Sequence, residues 1–183
     1  MEQNSFTETD CSSLSRCGKP RKLRLLTGPP FHPESDTAYA ELVRNFDGKT
    51  VICGGTTATI ISKQLCRPIE MDVQLAIQED RLPPPSSIAG IDLVTEGILT
   101  LTDVVQRIEA GDALASDLPT ASRCMVELFR NSDEIELVVG TKVNEANQDP
   151  NLPIDLEIRC NIVKRLKSVL ESKYRKRVTM RFF

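Results

Sequence analysis

Residues 49–65 read KTVICGGTTATIISKQL. Val51, Ile52 and Cys53 make an apolar burst suited to a strand buried on both faces. Gly54 and Gly55 interrupt it, and after Thr56 and Thr57 apolar residues return at helical spacing as far as Leu65. A strand that leads through glycine into a helix is half of a βαβ unit. The same glycines and threonines raise a chemical question. They suit a loop that cradles phosphate, and they also suit any tight strand-to-helix turn with its N-cap.

The pattern repeats on both sides of this stretch. KLRLLTG, residues 22–28, is a strand stopped by Pro29 and Pro30. PESDTAYAELVRNF follows as a helix whose apolar face is expected to comprise Ala38, Leu42, Val43 and Phe46. RPIEMDV, residues 67–73, reads as a strand, and the polar, proline-rich run 78–87 as a loop. A further strand at 92–96 leads to a helix with Thr100 or Thr102 as its N-cap and Gly111 as its stop. LPTASRCMVELFRNSD reads as a helix and EIELVVGT as a strand. The loop NEANQDPNLP then leads to the longest helix, from Ile154 to about Lys173, and KRVTMRFF closes the chain as a strand.

Strands alternate with helices and are apolar nearly throughout. The expected fold is therefore α/β: a three-layer α/β/α sandwich with a mostly parallel sheet, Rossmann-like, over residues 21–183. Residues 1–20 are polar and read as a flexible N-terminal arm. Strand order is not legible in the pattern.

A chain of 183 residues with 40 % hydrophobic content can bury one sizeable core. It holds no run of the roughly 18 to 20 apolar residues needed to span a membrane, and its N-terminus lacks a signal-peptide pattern. A cytoplasmic protein without a membrane partner is expected. The six cysteines are scattered, no CxxC occurs, and there is one histidine, so zinc-site spacing is absent.

The net charge of −3 conceals a division. Residues 31–158 carry 22 acidic and 9 basic side chains, whereas 159–183 carry nine basic and one acidic. Lys and Arg at this density suit the C-terminal part of an amphipathic helix. The lack of interleaved aromatic residues argues against nucleic acid.

In a parallel sheet all carboxyl ends face one way, and ligands bind in the crevice beyond them. Four strand ends share small or hydroxyl-bearing residues: Thr27 and Gly28; Gly54, Gly55, Thr56 and Thr57; Thr95 with Glu96 and Gly97; Gly140 and Thr141. Thr27, Gly28, Gly54, Gly55, Thr56, Thr57, Thr95, Gly140, Thr141 and Asn144 are the candidate ligand-binding residues. The helix after Gly55 would turn its free N–H groups toward an anion. Neither GxxxxGK[ST] nor GxGxxG is present, which disfavours P-loop hydrolysis and orthodox dinucleotide binding.

Glu96 and Asp92 are the candidate catalytic carboxylates, as base or as ligand to Mn²⁺ or Mg²⁺ beside a phosphate-bearing ligand. Asp149 is a third acidic group near the rim. Asn147, Gln148 and Asn151 could recognise a polar ligand or simply hold their loop by Asx turns. Lys142 is the nearest cation, and Arg159 could reach the crevice from its helix. His32 could act as a base near neutrality but lacks a paired nucleophile. The Cys53 thiol, before a helix start, could be acidified or simply packed.

KPRKLRLLTGPP, KTVICGGTTATIISKQL, GIDLVTEGILTLTDVV and VGTKVNEANQDPNLPIDLEIRCNIVKRL carry a resemblance that covers most of residues 19–183. They resemble the C-terminal accessory region that follows the catalytic part of bacterial SpoIIE-like serine/threonine phosphatases of the PP2C type. The resemblance implies an association with a phosphatase whose metal-binding aspartates would lie upstream. Asp47-Gly48, the one Asp-Gly, falls in a turn and makes a poor metal anchor.

The leading expectation is a ligand-binding or regulatory domain taking a phosphate-bearing or other anionic small molecule, nucleotides included. A metal-assisted, phosphatase-related hydrolase or transferase using the same crevice is the first alternative. The second is an interaction module, docking a signalling protein or forming a homo-oligomer through the basic C-terminal helix and an edge bearing Phe182 and Phe183.

Overall fold

The computed structural model describes residues 19–71, 82–111, 120–142 and 154–183. Its elements run β1 (Lys22–Thr27), a 3₁₀ turn (Pro33–Ser35), α1 (Asp36–Arg44), β2 (Lys49–Cys53), α2 (Gly55–Leu65), β3 (Ile69–Met71) and β4 (Ser86–Ile88). There follow β5 (Ile91–Thr95), α3 (Ile98–Ala110), α4 (Thr120–Arg130), β6 (Glu134–Val139), α5 (Ile154–Tyr174) and β7 (Arg177–Phe182). Among the described residues no helix is long and apolar enough to cross a membrane.

The strands form one mixed sheet in the order β3-β4-β5-β2-β1-β6-β7. β5, β2, β1, β6 and β7 are mutually parallel, and β4 and β3 extend the sheet antiparallel to their neighbours. β1 lies at the centre of the five parallel strands. The chain moves from it to β2 and β5 on one side, then returns past it to β6 and β7 on the other.

Period-two alternation divides the strand side chains between two cores. Leu23 and Leu25 of β1, Val51 and Cys53 of β2, and Ile135, Leu137 and Val139 of β6 pack with α3, α4 and α5. Leu26, Ile52, Val94 and Val138 pack with α1 and α2. Both faces of the central strands are thus covered, which is why their sequences are apolar almost without interruption. Each fully buried Leu, Ile or Phe contributes about 1.5–3 kcal/mol relative to an exposed one. Phe129 of α4 and Leu166 of α5, both at 0 % exposure, anchor their helices in this way.

An ion-pair ladder runs across β1, β6 and β7. Arg24 bonds Glu136 at 2.6 Å, Arg181 bonds the same carboxylate at 2.8 Å, and the Phe46 ring lies 4.1 Å from the Arg24 guanidinium. Half-burial and a shared partner make this ladder worth more than isolated surface pairs.

Three expectations need correction. The α1 face is rotated: Tyr39, Ala40 and Val43 are buried and Ala38 is exposed, because Tyr39 drives its ring inward and donates its hydroxyl to the Gly28 carbonyl at 2.9 Å. The run 78–87 includes the start of β4, three residues that become a strand only by pairing with β5 and β3. Neither Thr100 nor Thr102 caps α3. Gly97 does, at φ +119°, and Thr102 bonds back to the Ile98 carbonyl at 2.7 Å. At the other end Gly111, at φ +89°, is the stop that was expected.

Candidate functional site

The carboxyl ends of β1, β2, β5 and β6 reach one edge of the sheet, and a cavity of about 410 Å³ opens there. Its position is the crevice where the chain leaves the central strands toward opposite faces.

One wall comes from the crossing of the β1 and β6 exits. Gly140 donates its N–H to the Thr27 carbonyl at 2.8 Å, and Lys142 donates to the Pro29 carbonyl at 3.2 Å. The backbones approach so closely that a Cβ on Gly140 would lie 2.2 Å from the carbonyl oxygens of both Gly28 and Pro29. Gly28, at φ +79°, leaves room in turn for the Arg159 guanidinium, whose Nη1 donates to the Gly140 carbonyl at 3.2 Å. Arg159 descends from α5, and with Lys142 it brings the positive side chains to the lining.

The opposite wall comes from the exits of β2 and β5. Gly54 donates its N–H to the Thr95 carbonyl at 2.8 Å, and the Cys53 thiol donates to the Gly97 carbonyl at 3.2 Å. Thr95 donates its hydroxyl to the Cys53 sulfur at 3.2 Å. These bonds hold two helix starts together. α2 begins behind Gly54 (φ +129°) and α3 behind Gly97 (φ +119°), and neither N-cap offers a side-chain acceptor. The first intrahelical bonds are made by Ala58 to Gly54 and by Leu101 to Gly97. The N–H groups of the preceding turn lie outside that ladder, at the positive ends of both helix dipoles.

Thr57 and Thr100 occupy the same place, three residues past the N-caps of α2 and α3. Both are 0 % exposed, and neither hydroxyl oxygen has a hydrogen-bond partner among the described residues. A buried hydroxyl without a bond costs free energy. Thr57 lines the cavity, so its unused hydrogen-bonding capacity lies at the α2 start beside that space.

The cavity brings together Thr27, Gly28, Gly54, Gly55, Thr56, Thr57 and Glu96 among the residues expected to bind or react. Thr95, Gly140 and Thr141 stand behind this lining. Thr95 serves Cys53, Gly140 permits the backbone crossing, and Thr141 donates to the Phe183 carbonyl at 3.0 Å. Asn144, Asn147, Gln148, Asp149 and Asn151 lie outside the described residues.

Asp92 requires correction as a catalytic candidate. It sits near the start of β5, where its carboxylate accepts from Lys49 Nζ at 2.6 Å and from the Thr50 N–H at 2.8 Å. Those partners open β2, so Asp92 belongs to the other end of the strands from Glu96 and the cavity. Among the described residues no three His, Cys, Asp or Glu converge as a metal-ligand set, and Glu96 is the one carboxylate of the described lining.

His32 is an exposed turn residue, edge-on to Phe31, with Nδ1 3.8 Å from Glu34. Cys53 is packed rather than activated: burial pushes its thiol up to about 12, against the smaller opposing effects of the Thr95 bond and the Arg159 charge. β7 is an edge strand with Phe182 51 % exposed, but Phe183 turns back and packs against Tyr39, ring centroids 5.0 Å apart.

The apolar part of the lining was missed in the sequence. Ile60 stands one turn beyond Thr56, Ile98 and Leu99 open α3, and Pro83 approaches from the segment before β4. Gly97 carried a readable signal, since Thr-Glu-Gly before an apolar helix repeats the small-residue exit seen after β2. Pro83 carried none. Comparisons with protein-family models, with curated proteins and with solved structures found no match to this chain.

Proposed function

We propose that the chain is a ligand-binding or regulatory domain of three-layer, Rossmann-like design that takes a phosphate-bearing or other anionic small molecule at the carboxyl rim of its sheet. The observation that carries this reading is the shared cavity wall. The starts of α2 and α3 open together behind glycine N-caps, and the buried Thr57 hydroxyl beside them has no partner among the described residues. Lys142 and Arg159 supply positive charge to the same space. Helix starts and backbone approach through glycine are the means by which proteins bind phosphate without a dedicated catalytic apparatus.

The metal-assisted hydrolase reading has weaker support. It calls for two carboxylates beside the double glycine, and Asp92 is engaged with Lys49 and Thr50 at the far part of the sheet. The resemblance to the accessory region of SpoIIE-like phosphatases accords with a regulatory rather than a catalytic role. Under that reading the domain senses a metabolite for an associated PP2C-type phosphatase in the cytoplasm.

A thermal-shift screen tests the proposal with phosphate, pyrophosphate, nucleotides and sugar phosphates, each with and without Mn²⁺. An anion that binds only the native state at 100 times its Kd adds about 2.7 kcal/mol of stability, a shift of several degrees. Thr56→Asp, which places a negative charge at the α2 start, abolishes that shift. No shift with any anion refutes the reading, and a shift that requires Mn²⁺ transfers support to the hydrolase.

A further inference from the structure

The two edges of the sheet are built differently. β3 is three residues long, every one of them exposed, and Arg67 and Pro68 precede it. An edge that short, next to a charge and a proline, offers little for another strand to extend. β7 lacks these devices. It runs six residues in unbroken register with β6 from Arg177 to Phe182, without proline, lysine or bulge. Its two arginines are each engaged by a carboxylate of β6, Arg177 by Glu134 and Arg181 by Glu136 at 2.8 Å. That engagement offsets the charge that would otherwise repel a second strand. Among the described residues nothing pairs with the outer side of β7.

The inner hydrogen bonds fix what the outer side presents. Arg177 donates its N–H to the Asp133 carbonyl at 3.1 Å, and Phe183 donates to the Val139 carbonyl at 2.8 Å. Alternation along the strand therefore turns the N–H and C=O groups of Val178, Met180 and Phe182 outward. The side chains of these three share the face of α3, α4 and α5. Val178 is buried there, Met180 packs against the same core, and Phe182 is 51 % exposed. Arg177, Thr179 and Arg181 occupy the other face and are exposed.

We infer that β7 pairs with β7 of a second copy, antiparallel about a two-fold axis at Met180, so that the two sheets become one. A closed pair of identical copies meeting edge to edge requires antiparallel strands. Centred on Met180, the pairing opposes Met180 to its own copy and Val178 to Phe182 on either side, and these pairs exchange roughly six hydrogen bonds. One face of the seam is then wholly apolar, and the exposed Phe182 ring gains a β-branched neighbour. On the other face Thr179 opposes Arg181, and Arg177 opposes Phe183. Charge selects this register. Moving the centre to Thr179 opposes Arg177 to Arg181, and moving it to Arg181 opposes that arginine to its own copy. Two six-residue strands form less than a standard interface, so the association is reversible and depends on concentration.

Sedimentation equilibrium of the full chain from about 5 to about 500 µM, a range that spans weak association, tests the inference. Reductant is present because Cys66 is exposed. The mass rises from 20.4 kDa toward twice that value. In the concentrated sample amide exchange read by NMR slows at Val178, Met180 and Phe182. Thr179→Lys faces Glu136 within its own sheet and Arg181 of the second copy across the seam. It therefore melts no lower than wild type when dilute, yet dimerises about threefold or more weakly. Phe182→Lys removes the apolar partner from both outer pairs and weakens the dimer about tenfold or more. A mass that stays at 20.4 kDa throughout overturns the inference. So does a dimer whose β7 amides exchange as fast as in dilute protein, or one that both variants form as tightly as wild type. The wild-type mass and exchange decide by themselves should either variant fail to fold.

Discussion

Thr57→Val separates the cost of the site from its use. The substitution preserves the branched shape and removes a buried hydroxyl that has no hydrogen-bond partner among the described residues. A buried hydroxyl lacking a bond costs about 1–3 kcal/mol, so its removal stabilises the ligand-free protein, here by about 1–2 kcal/mol. With unfolding entropy near 2.1 cal/mol/K per residue, a chain of 183 residues shifts its Tm by about 2–3 °C for each kcal/mol. Thr57→Val therefore melts about 3–5 °C above wild type without ligand. A hydrogen bond to a charged group is worth about 1.5–3 kcal/mol, so affinity for an anion bound at the α2 start falls roughly ten- to a hundredfold. Thr95→Val is the matched control. Its hydroxyl is used, donating to Cys53 Sγ at 3.2 Å, and this variant melts below wild type. Differential scanning calorimetry with and without ligand reads both effects. A Thr57→Val protein that melts lower than wild type and retains its affinity would refute the argument, since the hydroxyl would then be structural.

Two glycine substitutions, one in the cavity lining and one behind it, should behave in opposite ways. A Cβ on Gly55 meets nothing within 4 Å, so Gly55→Ala gains about 0.5–1 kcal/mol of helix stability while its methyl obstructs the anion's approach to α2. Gly140→Ala forces a methyl to 2.2 Å from two carbonyl oxygens and costs about 3 kcal/mol or more. Matching melting curves for the two variants would show that the β1–β6 crossing is slack. The third prediction concerns Cys53. An unfolded thiol ionises near its ordinary 9.0, whereas burial holds this one neutral up to about 12. Its contribution to stability is complete below pH 9 and is lost as pH rises through 12. At pH 8, alkylation followed by mass spectrometry finds exposed Cys66 labelled well before Cys53; equal rates would show that the β2 exit opens freely.

Much of the architecture was legible because its signals are local. The apolar runs of β1, β2, β5 and β6 mark strands buried on both faces, and Gly111 marks the end of α3. The glycines at the β2 exit pointed to the edge of the sheet where the cavity opens for the same reason: left-handed turns and open helix starts need them wherever they occur. Signals that depend on a partner were not legible. β4 is three residues whose extended form rests on β5 and β3, and Tyr39 chose the buried face of α1 through a carbonyl eleven residues away.

The cavity makes the same division. Its donors at 54–57 are contiguous in the chain, and the sequence by itself determined that they would stand between a strand and a helix. Only the tertiary structure decided which side chains share that space. Arg159 arrives from α5 through a backbone crossing that two glycines permit, while Asp92, four residues from Glu96, is carried along β5 to Lys49. Local pattern sets the dihedral angles of each element, but the neighbours of a side chain are set by strand order, and strand order minimises exposed surface over the whole chain.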